Sequence, residues 1–354
     1  MSLDVFRGAT IAAMILVNDP GSSAAYWPLK HAQWNGWTPT DLIFPFFLFI
    51  VGVSLVLSFE SRLKRGDSRR VVVVHALRRS ATIFAIGLLL NGLPHFHLAT
   101  WRIPGVLQRI AVAYLAAALI TLFSRKNAWI AWVAGLLLGY WLLMRFGPVP
   151  GYGIPTRDIP LLDPDANLAA YLDRKLMTGH LWEGTRDPEG ALSTLPAIAT
   201  TLCGVLAGEW LRTSHRPRQK AAWMFASGVT GLIAGELWGI WFPINKNLWT
   251  SSYVLLTAGF ATVCLALCYW VIDIKLHRGW WTKPFVIFGS NAIAAYVISE
   301  ALGGTLAWKD HIFQHFVALV NPPGLASLLY SLAIVGICFV PVWWMYRNRI
   351  FLKA

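Results

Sequence analysis

Apolar residues along this chain occur in ten long runs separated by short polar connections. A helix needs roughly 17–25 mostly apolar residues to cross a bilayer. The runs extend over 4–18, 41–58, 77–94, 104–123, 127–146, 194–212, 221–242, 249–272, 283–302 and 324–346. The first run leads into Asn18-Asp19-Pro20 rather than a small-residue cleavage site, so we predict a retained helix instead of a signal peptide. The pattern predicts an all-α membrane protein, a polytopic bundle of about ten transmembrane helices.

Composition supports this class. Of 354 residues, 56% are hydrophobic and only 13% are charged, whereas soluble domains carry about a quarter charged residues. The chain has 19 tryptophans, most of them flanking apolar runs, as in an interfacial aromatic belt. The net charge of +13 could indicate a nucleic-acid partner, but the basic residues cluster in connections between apolar runs. We therefore expect contact with the lipid bilayer and no nucleic acid.

The basic residues mark alternate connections. They are Arg62, Lys64, Arg65, Arg69, Arg70, Arg78 and Arg79; Arg125 and Lys126; Arg212, Arg216, Arg218 and Lys220; Lys275 and Arg278; and Arg347, Arg349 and Lys353. The positive-inside rule then predicts that both termini are cytoplasmic. The longest connection, about 147–193, lies outside in this topology. We expect residues 1–354 to form a single transmembrane domain with this one long outer loop.

The four cysteines predict neither disulfides nor a metal centre. All of them lie inside apolar runs, and no CxxC pair is present. Cys264 and Cys268 are four residues apart on one helix, but two thiols form an incomplete metal site. We expect no bound metal.

The stretch 18–52 holds the most informative polar residues. His31 lies among Trp27, Trp34 and Trp37, and Asp41 marks the entry to the second apolar run. Titratable groups at a membrane boundary are costly and usually functional, and histidine handles protons near neutral pH. The alternative is an interfacial histidine within an aromatic belt. If the stretch is functional, the aromatic rings could form stacking faces for a sugar.

Polar residues within other apolar runs can be interpreted in two ways. Arg109 lies in the fourth run, Glu236 in the seventh, and Asn291 and Glu300 in the ninth. Ionisable groups in a membrane should face the bundle interior and pair. They could connect helices, as an Arg–Glu pair would, or line a functional cavity.

Several blocks of sequence resemble the heparan-α-glucosaminide N-acetyltransferase family. They are SLDVFRG at 2–8, HAQWNGWTPTDLIFPFFLFIVG at 31–52, RIPGVLQRIAVAY at 102–114, DPEG at 187–190, NKNLWTSSYV at 245–254 and PFVIFGSNAIAAYVISE at 284–300. The blocks occur in the family's order and span nearly the whole chain. The chain resembles the compact bacterial branch, without the luminal domain of the lysosomal relatives. The resemblance implies a multi-pass protein of the bacterial inner membrane and a homodimer.

The resemblance also implies an activity: transmembrane acetylation. Acetyl-CoA from the cytoplasm would donate its acetyl group to the amine of a glucosamine-type sugar on the periplasmic side. The family's catalytic histidine falls on His31, its companion asparagine on Asn18, and a family aspartate on Asp41. The gap between Asn18 and His31 is about two residues longer than in the family, which leaves Asp19 as a neighbour to consider.

Two further groups of residues are candidate binding sites. For the acceptor sugar they are Trp34, Asn35, Asp187, Glu189, Asn245, Lys246 and Asn247. For acetyl-CoA they are Arg7, Arg78, Arg79, Arg109 and Asn291. Arginine suits phosphate because its planar guanidinium forms charge-assisted hydrogen bonds.

The residues leave the mechanism open. A histidine can act as a general base towards the attacking amine or as a nucleophile that carries the acetyl group. Asn18 or the amide of Asn35 could donate to the oxyanion. A transporter or flippase for an amino sugar or a glycan is the alternative function, in which the intramembrane polar residues would line a substrate path.

Overall fold

The computed structural model describes residues 1–93, 96–305, 315 and 320–352. Over these residues the fold is built from helices, with two isolated β-bridges and no strand. The α-helices, numbered α1 to α12 in chain order, are Ser2–Asn18, Ile43–Lys64, Arg69–Gly92, Val106–Phe123, Lys126–Phe146, Leu168–Leu176, Thr194–Arg212, Pro217–Gly239, Ser251–Cys268, Thr282–Ser290, Ala292–Thr305 and Pro323–Arg347. The predicted all-α class is confirmed for the described part of the chain.

Seven helices among the described residues are long and apolar enough to cross a bilayer: α2 to α5, α7, α9 with its π-helical extension to Ile274, and α12. An eighth is added if α10 and α11 count as one bent span. Each of the ten apolar runs coincides with a helix or helix pair. However, α1 has only 17 residues, and α8 carries Arg218, Lys220 and Glu236. The count of ten spans and the cytoplasmic termini stay predictions.

The ninth run is not the continuous helix that we predicted. It breaks between Ser290 and Ala292, and the two halves meet at an angle of 82°. At the break, the Asn291 side chain donates to the carbonyl of Ile350 at 3.0 Å and accepts from the backbone of Leu352 at 2.9 Å. The break therefore holds the segment that follows α12.

The chain divides into two compact units. Unit 1 contains Met1–Gln33, Trp37–Phe47 and Cys264–Ala354. Within it α1 packs against α10, α11 and α12. Gly8 of α1 and Gly289 of α10 face each other's backbones so closely that a Cβ atom at either position would collide with a carbonyl oxygen, of Phe285 and Asp4 respectively. Small residues permit such close packing between membrane helices.

Unit 2 contains Trp34–Gly36 and Leu48–Val263. Here α3 packs against α4, while α7 packs against α4 and α5. Gly52 of α2 and Gly204 of α7 repeat the close approach seen in unit 1, since a Cβ atom would meet the carbonyl oxygens of Thr201 and Phe49.

The long connection 147–193 also belongs to unit 2, and we call it the long loop. It contains α6, whose first turn is capped by the Asn167 side chain accepting from the amide of Ala170 at 2.9 Å. Such a cap satisfies a helix amide that has no partner within the helix. The long loop is thus partly ordered by its own helix.

Candidate active site

His31 and Asp41 form a hydrogen-bonded pair in unit 1, just before α2. Nδ1 of His31 lies 2.7 Å from Oδ1 of Asp41. The second carboxylate oxygen accepts from the backbone amides of Ala32 and Thr38, both at 3.0 Å. Thr38 Oγ1 lies 3.1 Å from the same oxygen and 2.6 Å from the carbonyl of Lys30. The position of the Asp41 carboxylate is therefore fixed by contacts with one imidazole, two backbone amides and one hydroxyl group.

Local sequence explains this geometry. Pro39–Leu42 form a 3₁₀ turn that leads into α2, and Thr38 and Asp41 form a capping box at its start. Proline at the first position suits such a turn because its φ angle is already fixed. The capping box turns the Asp41 carboxylate back towards the loop, where it meets His31.

The pair sets the orientation of the imidazole. Asp41 has a side-chain exposure of 1%, whereas His31 is 48% exposed. A carboxylate facing Nδ1 favours the proton on that nitrogen and leaves Nε2 as the basic atom. The arrangement resembles the base and orienting acid of hydrolytic triads, in which the acid also stabilises the imidazolium form.

Asn18 lies at the end of α1 and contacts a different carboxylate. Its Nδ2 donates to Oε1 of Glu300 at 3.3 Å, which fixes the direction of the carboxamide. Asp19 is buried, and its backbone carbonyl accepts from Ser331 Oγ at 3.0 Å. The structure thus pairs His31 with Asp41 and Asn18 with Glu300.

Trp34 and Asn35 belong to unit 2, where they meet the segment 244–250. Asn245 is fully buried, and its Nδ2 donates to Oδ1 of Asn35 at 3.2 Å. The amide of Gly36 donates to the carbonyl of Ile244 at 2.8 Å. Gly36 has φ = 95°, in the region that favours glycine. Three of the predicted acceptor-site residues are therefore neighbours.

Trp34 also contacts the long loop. Its indole Nε1 donates to the carbonyl of Leu162 at 2.8 Å, and the guanidinium of Arg186 lies 5.1 Å from the centre of its ring. Trp34, Asp173, Arg186, Asp187 and Asn247 line one small cavity. It has about 10 Å³ of free space, enough for at most one water, so a sugar ring does not fit without movement of these side chains.

Asp187 and Glu189 face Arg102. The guanidinium donates to both oxygens of Asp187, at 2.7 and 2.9 Å, and to Glu189 at 2.6 Å. Burial alone would lower the pKa of Arg102, but the hydrogen bonds and the attraction of Asp187 and Glu189 outweigh it and raise that pKa above its ordinary value. Both carboxylates predicted for the acceptor are thus engaged by an arginine.

Lys246 is half-buried between Asn245 and Asn247, and its carbonyl accepts from the amide of Trp249 at 3.0 Å. This contact closes a turn ahead of α9. The structure thereby places the whole Asn-Lys-Asn segment beside Trp34 and Asn35 within unit 2.

The residues predicted for CoA are distributed over both units. In unit 1, Arg7 donates to the carbonyl of Gly289 at 3.1 Å and lies 3.4 Å from Asp4. The side chain of Asn291 is engaged at the helix break described above.

In unit 2, Arg78 is exposed, and Arg79 stacks on Tyr114 at 5.0 Å. Arg109 is buried, donates to Ser193 Oγ and to the carbonyl of Gly190, and lies 5.0 Å from the ring of Trp249. Arg109 therefore connects α4 to the start of α7. This agrees with the interpretation that polar residues in the apolar runs connect helices, although Arg109 is held by Ser193 and Gly190 rather than by Glu236.

Asp173 of α6 is a residue that the sequence did not single out. It is buried beneath Gly190 and accepts from the amide of Ala191 at 2.8 Å. Burial raises its pKa to about 6, and the negative charge of Asp187 adds to the effect. Perturbed carboxyls of this kind cluster at functional sites. The sequence signal that could have located Asp173 is Asn167, a capping residue that marks the start of a helix inside the long loop.

Among the described residues, no group of three or more His, Cys, Asp and Glu side chains is placed to hold a metal ion. The expectation of a metal-free protein stays a prediction.

The comparison with known proteins gives one family. The family model "Heparan-alpha-glucosaminide N-acetyltransferase, catalytic" matches residues 1–235. The chain is 33% identical to heparan-alpha-glucosaminide N-acetyltransferase from Mus musculus and 34% identical to that from Homo sapiens, in each case over 93% of its length. It spans 59% and 58% of those two proteins.

The chain belongs to the heparan-alpha-glucosaminide N-acetyltransferase family. The resemblance drawn from the sequence blocks is therefore confirmed.

Proposed function

We propose that this protein is a transmembrane N-acetyltransferase. It moves an acetyl group from cytoplasmic acetyl-CoA to the amine of a glucosamine-type sugar on the other side of the membrane. The observation that carries the proposal is the His31–Asp41 pair, in which a buried carboxylate orients a half-exposed imidazole at the start of a membrane span. Membership of a family named for glucosaminide N-acetyltransferases supports it.

Two routes use the same imidazole. In the first, Nε2 of His31 accepts a proton from the sugar amine while the amine nitrogen attacks the thioester carbon. The new C–N bond replaces the C–S bond, and the leaving thiolate takes up the proton. In the second, Nε2 itself attacks the thioester carbon, the C–S bond breaks, and CoA leaves as its thiolate. The amine then attacks the acetyl carbon, the bond from that carbon to Nε2 breaks, and the proton that the amine loses is released to water as His31 regains its free imidazole. Asp41 stabilises the positive ring in both.

Asn18 has a supporting role in this proposal. Its carboxamide can donate to the oxyanion that forms when the thioester or acetyl-imidazole carbonyl is attacked. The hydrogen bond to Glu300 holds the amide group in one orientation, which reduces the cost of ordering it during the reaction.

For the acceptor we propose the surface around Trp34, Asn35, Asn245 and Asn247. Trp34 and Asn35 follow His31 by three and four residues, and an indole ring offers a stacking face to a sugar. Asp187 and Glu189 would act here through Arg102, which holds the 187–190 turn. Because the cavity beneath Trp34 is small, binding requires the Trp34 and Arg186 side chains to move.

The test is acetyl transfer across a membrane. Purified protein in liposomes receives labelled acetyl-CoA on one side only and glucosamine on the other side only. Labelled N-acetylglucosamine should appear on the glucosamine side. His31→Ala should abolish the product, while His97→Ala, at an exposed histidine between α3 and α4, should retain it.

Other outcomes would change the proposal. Product that forms only when both substrates share one side would remove its transmembrane part. Unmodified glucosamine crossing the membrane without acetylation would favour the transporter alternative. With acetyl-CoA alone, label retained on wild-type protein but not on His31→Ala would select the acetyl-histidine route over the general-base route.

A further inference from the structure

A large cavity lies at one end of unit 2, and none of the residues of the proposed reaction lines it. It has a volume of about 840 Å³ and lies among α2, α3, α4, α5 and α7. It opens where α2 and α4 end and where α3 and α5 begin. These connections carry the Lys and Arg clusters that the positive-inside rule assigns to the cytoplasm.

The cavity wall is mainly positive. Five basic side chains and two acidic ones line it. Glu60 pairs with Lys64 at 2.7 Å and with Arg212 at 2.6 Å. Glu209 pairs with Arg212 at 2.7 Å and also with Lys126. These ion pairs neutralise part of the wall and hold the ends of three helices together.

Two arginines remain beyond these pairs. Arg69 and Arg125 both line the cavity and are exposed, and neither has an ion-pair partner among the described residues. Arg69 begins α3, and Arg125 immediately precedes α5. Two helix N-termini, each with partial positive charge, therefore border the same space as two guanidinium groups that have no ion-pair partner among the described residues.

A buried polar atom provides independent evidence for a ligand. Trp129 lies in the first turn of α5, lines the cavity and is only 4% exposed. Its indole N–H is buried and has no hydrogen-bond partner among the described residues. Leaving such a donor without a partner costs roughly 1–3 kcal/mol. An acceptor atom entering from the cavity would satisfy it once the Trp129 ring turned its N–H towards that space.

The remaining wall is apolar and continues onto the outside of the bundle. Phe123, at the end of α4, is 66% exposed, and Leu63, near the end of α2, is 46% exposed. Both lie at the ends of membrane spans. A ligand that is anionic at one end and apolar at the other fits this wall. Basic pockets between helices on the cytoplasmic side of a membrane are typical sites for phospholipid headgroups.

We propose that this cavity binds the phosphate headgroup of an anionic phospholipid. Arg69 and Arg125 contact the phosphate, Trp129 donates its N–H to a headgroup oxygen, and an acyl chain extends along Phe123 and Leu63. None of the proposed catalytic residues lines this cavity, so the proposal does not depend on the acetyltransferase assignment.

Binding can be measured on the full-length protein in detergent by native mass spectrometry. The probes are phosphatidylglycerol and phosphatidylcholine with identical acyl chains. We expect wild type to retain phosphatidylglycerol preferentially. Arg69→Gln with Arg125→Gln should weaken that retention by roughly 10–30-fold, and Trp129→Phe, which removes the N–H and keeps an aromatic ring, by about two- to five-fold.

Arg70→Gln is the matched control. Arg70 is the exposed neighbour of Arg69 on α3 but does not line the cavity, so retention should stay close to wild type. If the double variant is unstable, the single variants and Trp129→Phe are compared instead.

Equal retention of phosphatidylglycerol by wild type, the arginine variants and Trp129→Phe would overturn the proposal. Displacement of the lipid by CoA in wild type, together with loss of CoA binding in the arginine variants, would also overturn it, because the cavity would then be a nucleotide site.

Discussion

Two polar clusters of this protein contain almost fully buried carboxylates and use them differently. In unit 1, Asp41 contacts an imidazole that is 48% exposed. In unit 2, Asp187 contacts Arg102, which is only 18% exposed, and Glu189 contacts the same guanidinium. The carboxylates are alike in burial, with exposures of 1% for Asp41 and 0% for Asp187. Their partners are not.

The difference separates a group that can transfer a proton from one that cannot. An imidazole gains and loses its proton near neutral pH, whereas a guanidinium stays charged. The Asp41 cluster can therefore take part in chemistry at its exposed edge. In the Arg102 cluster the guanidinium and the two carboxylates neutralise one another, and this arrangement suits a structural role in holding the long loop.

The largest effect should come from His31. We expect His31→Ala to lower the rate of acetyl transfer by about 10²–10⁴-fold, the range for loss of a general base. Asp41→Asn should lower it by up to about 10⁴-fold, the loss when asparagine replaces the orienting acid of a hydrolytic triad, since the carboxylate acts through the imidazole. The double variant should be no slower than His31→Ala alone.

Steady-state rates and melting temperatures of the three variants measure this coupling. A double variant whose losses multiply would show that Asp41 acts independently of His31. The buried carboxylate of unit 1 would then not work through the imidazole.

Arg102→Ala should mainly reduce stability. It leaves Asp187 and Glu189 buried without their cation, a change that costs about 3–5 kcal/mol for buried pairs. Arg157→Ala is the control, because Arg157 pairs with Asp158 at the exposed surface of the same loop. It should leave the melting temperature unchanged. If Arg102→Ala instead melts like wild type and loses affinity for the acceptor, the carboxylates belong to the binding site.

Asp173 predicts how stability varies with pH. Its pKa is raised to about 6 from an ordinary 3.8, first by burial. Between these values the folded protein holds a proton that the unfolded chain has released. The contribution of Asp173 to the free energy of unfolding should therefore decrease as pH rises from about 4 to about 6, by at most about 3 kcal/mol, and then level off.

Asp173→Asn should remove that decrease, as followed by melting temperatures across this pH range. Asp158→Asn serves for comparison, because Arg157 lowers the pKa of this exposed carboxyl. It should not flatten the decrease. Parallel profiles for wild type and Asp173→Asn would contradict the assignment.

The smallest effect concerns Thr38. Thr38→Val removes the hydroxyl near Asp41 and keeps the backbone amide that also contacts it. Loss of one hydrogen bond of about 1 kcal/mol predicts a kcat about fivefold lower with KM unchanged. An unaltered kcat would mean that the amides of Ala32 and Thr38 suffice to hold the carboxylate.

The sequence predicted the long helices because their apolar runs match a bilayer, and α2 and α12 are clear cases. It did not predict the break at Asn291, which lies within an otherwise apolar run. The side chain that marks the break is engaged by backbone 59 and 61 residues further along the chain. A sequence window contains no information about such a partner.

The candidate site divides in the same way. His31 and Asp41 are ten residues apart, and both could be named from motif and chemistry. Arg102 and Asp187 are 85 residues apart. Only the packing of the long loop brings them together, so Asp187 and Glu189 were assigned to the sugar without the arginine that binds them. Asp173 was missed because its pKa depends on burial.

The close approaches at Gly8, Gly289, Gly52 and Gly204 have a genetic consequence. Every single-base change of a glycine codon that alters the amino acid adds at least a Cβ atom, which would strike a carbonyl oxygen at each of these positions. In a saturation screen of protein abundance in the membrane, these four should tolerate almost no replacement, and their variants should be degraded. Variants of His31 should accumulate normally and fail only when activity is scored. Abundance and activity screens together would therefore distinguish helix-packing positions from catalytic ones.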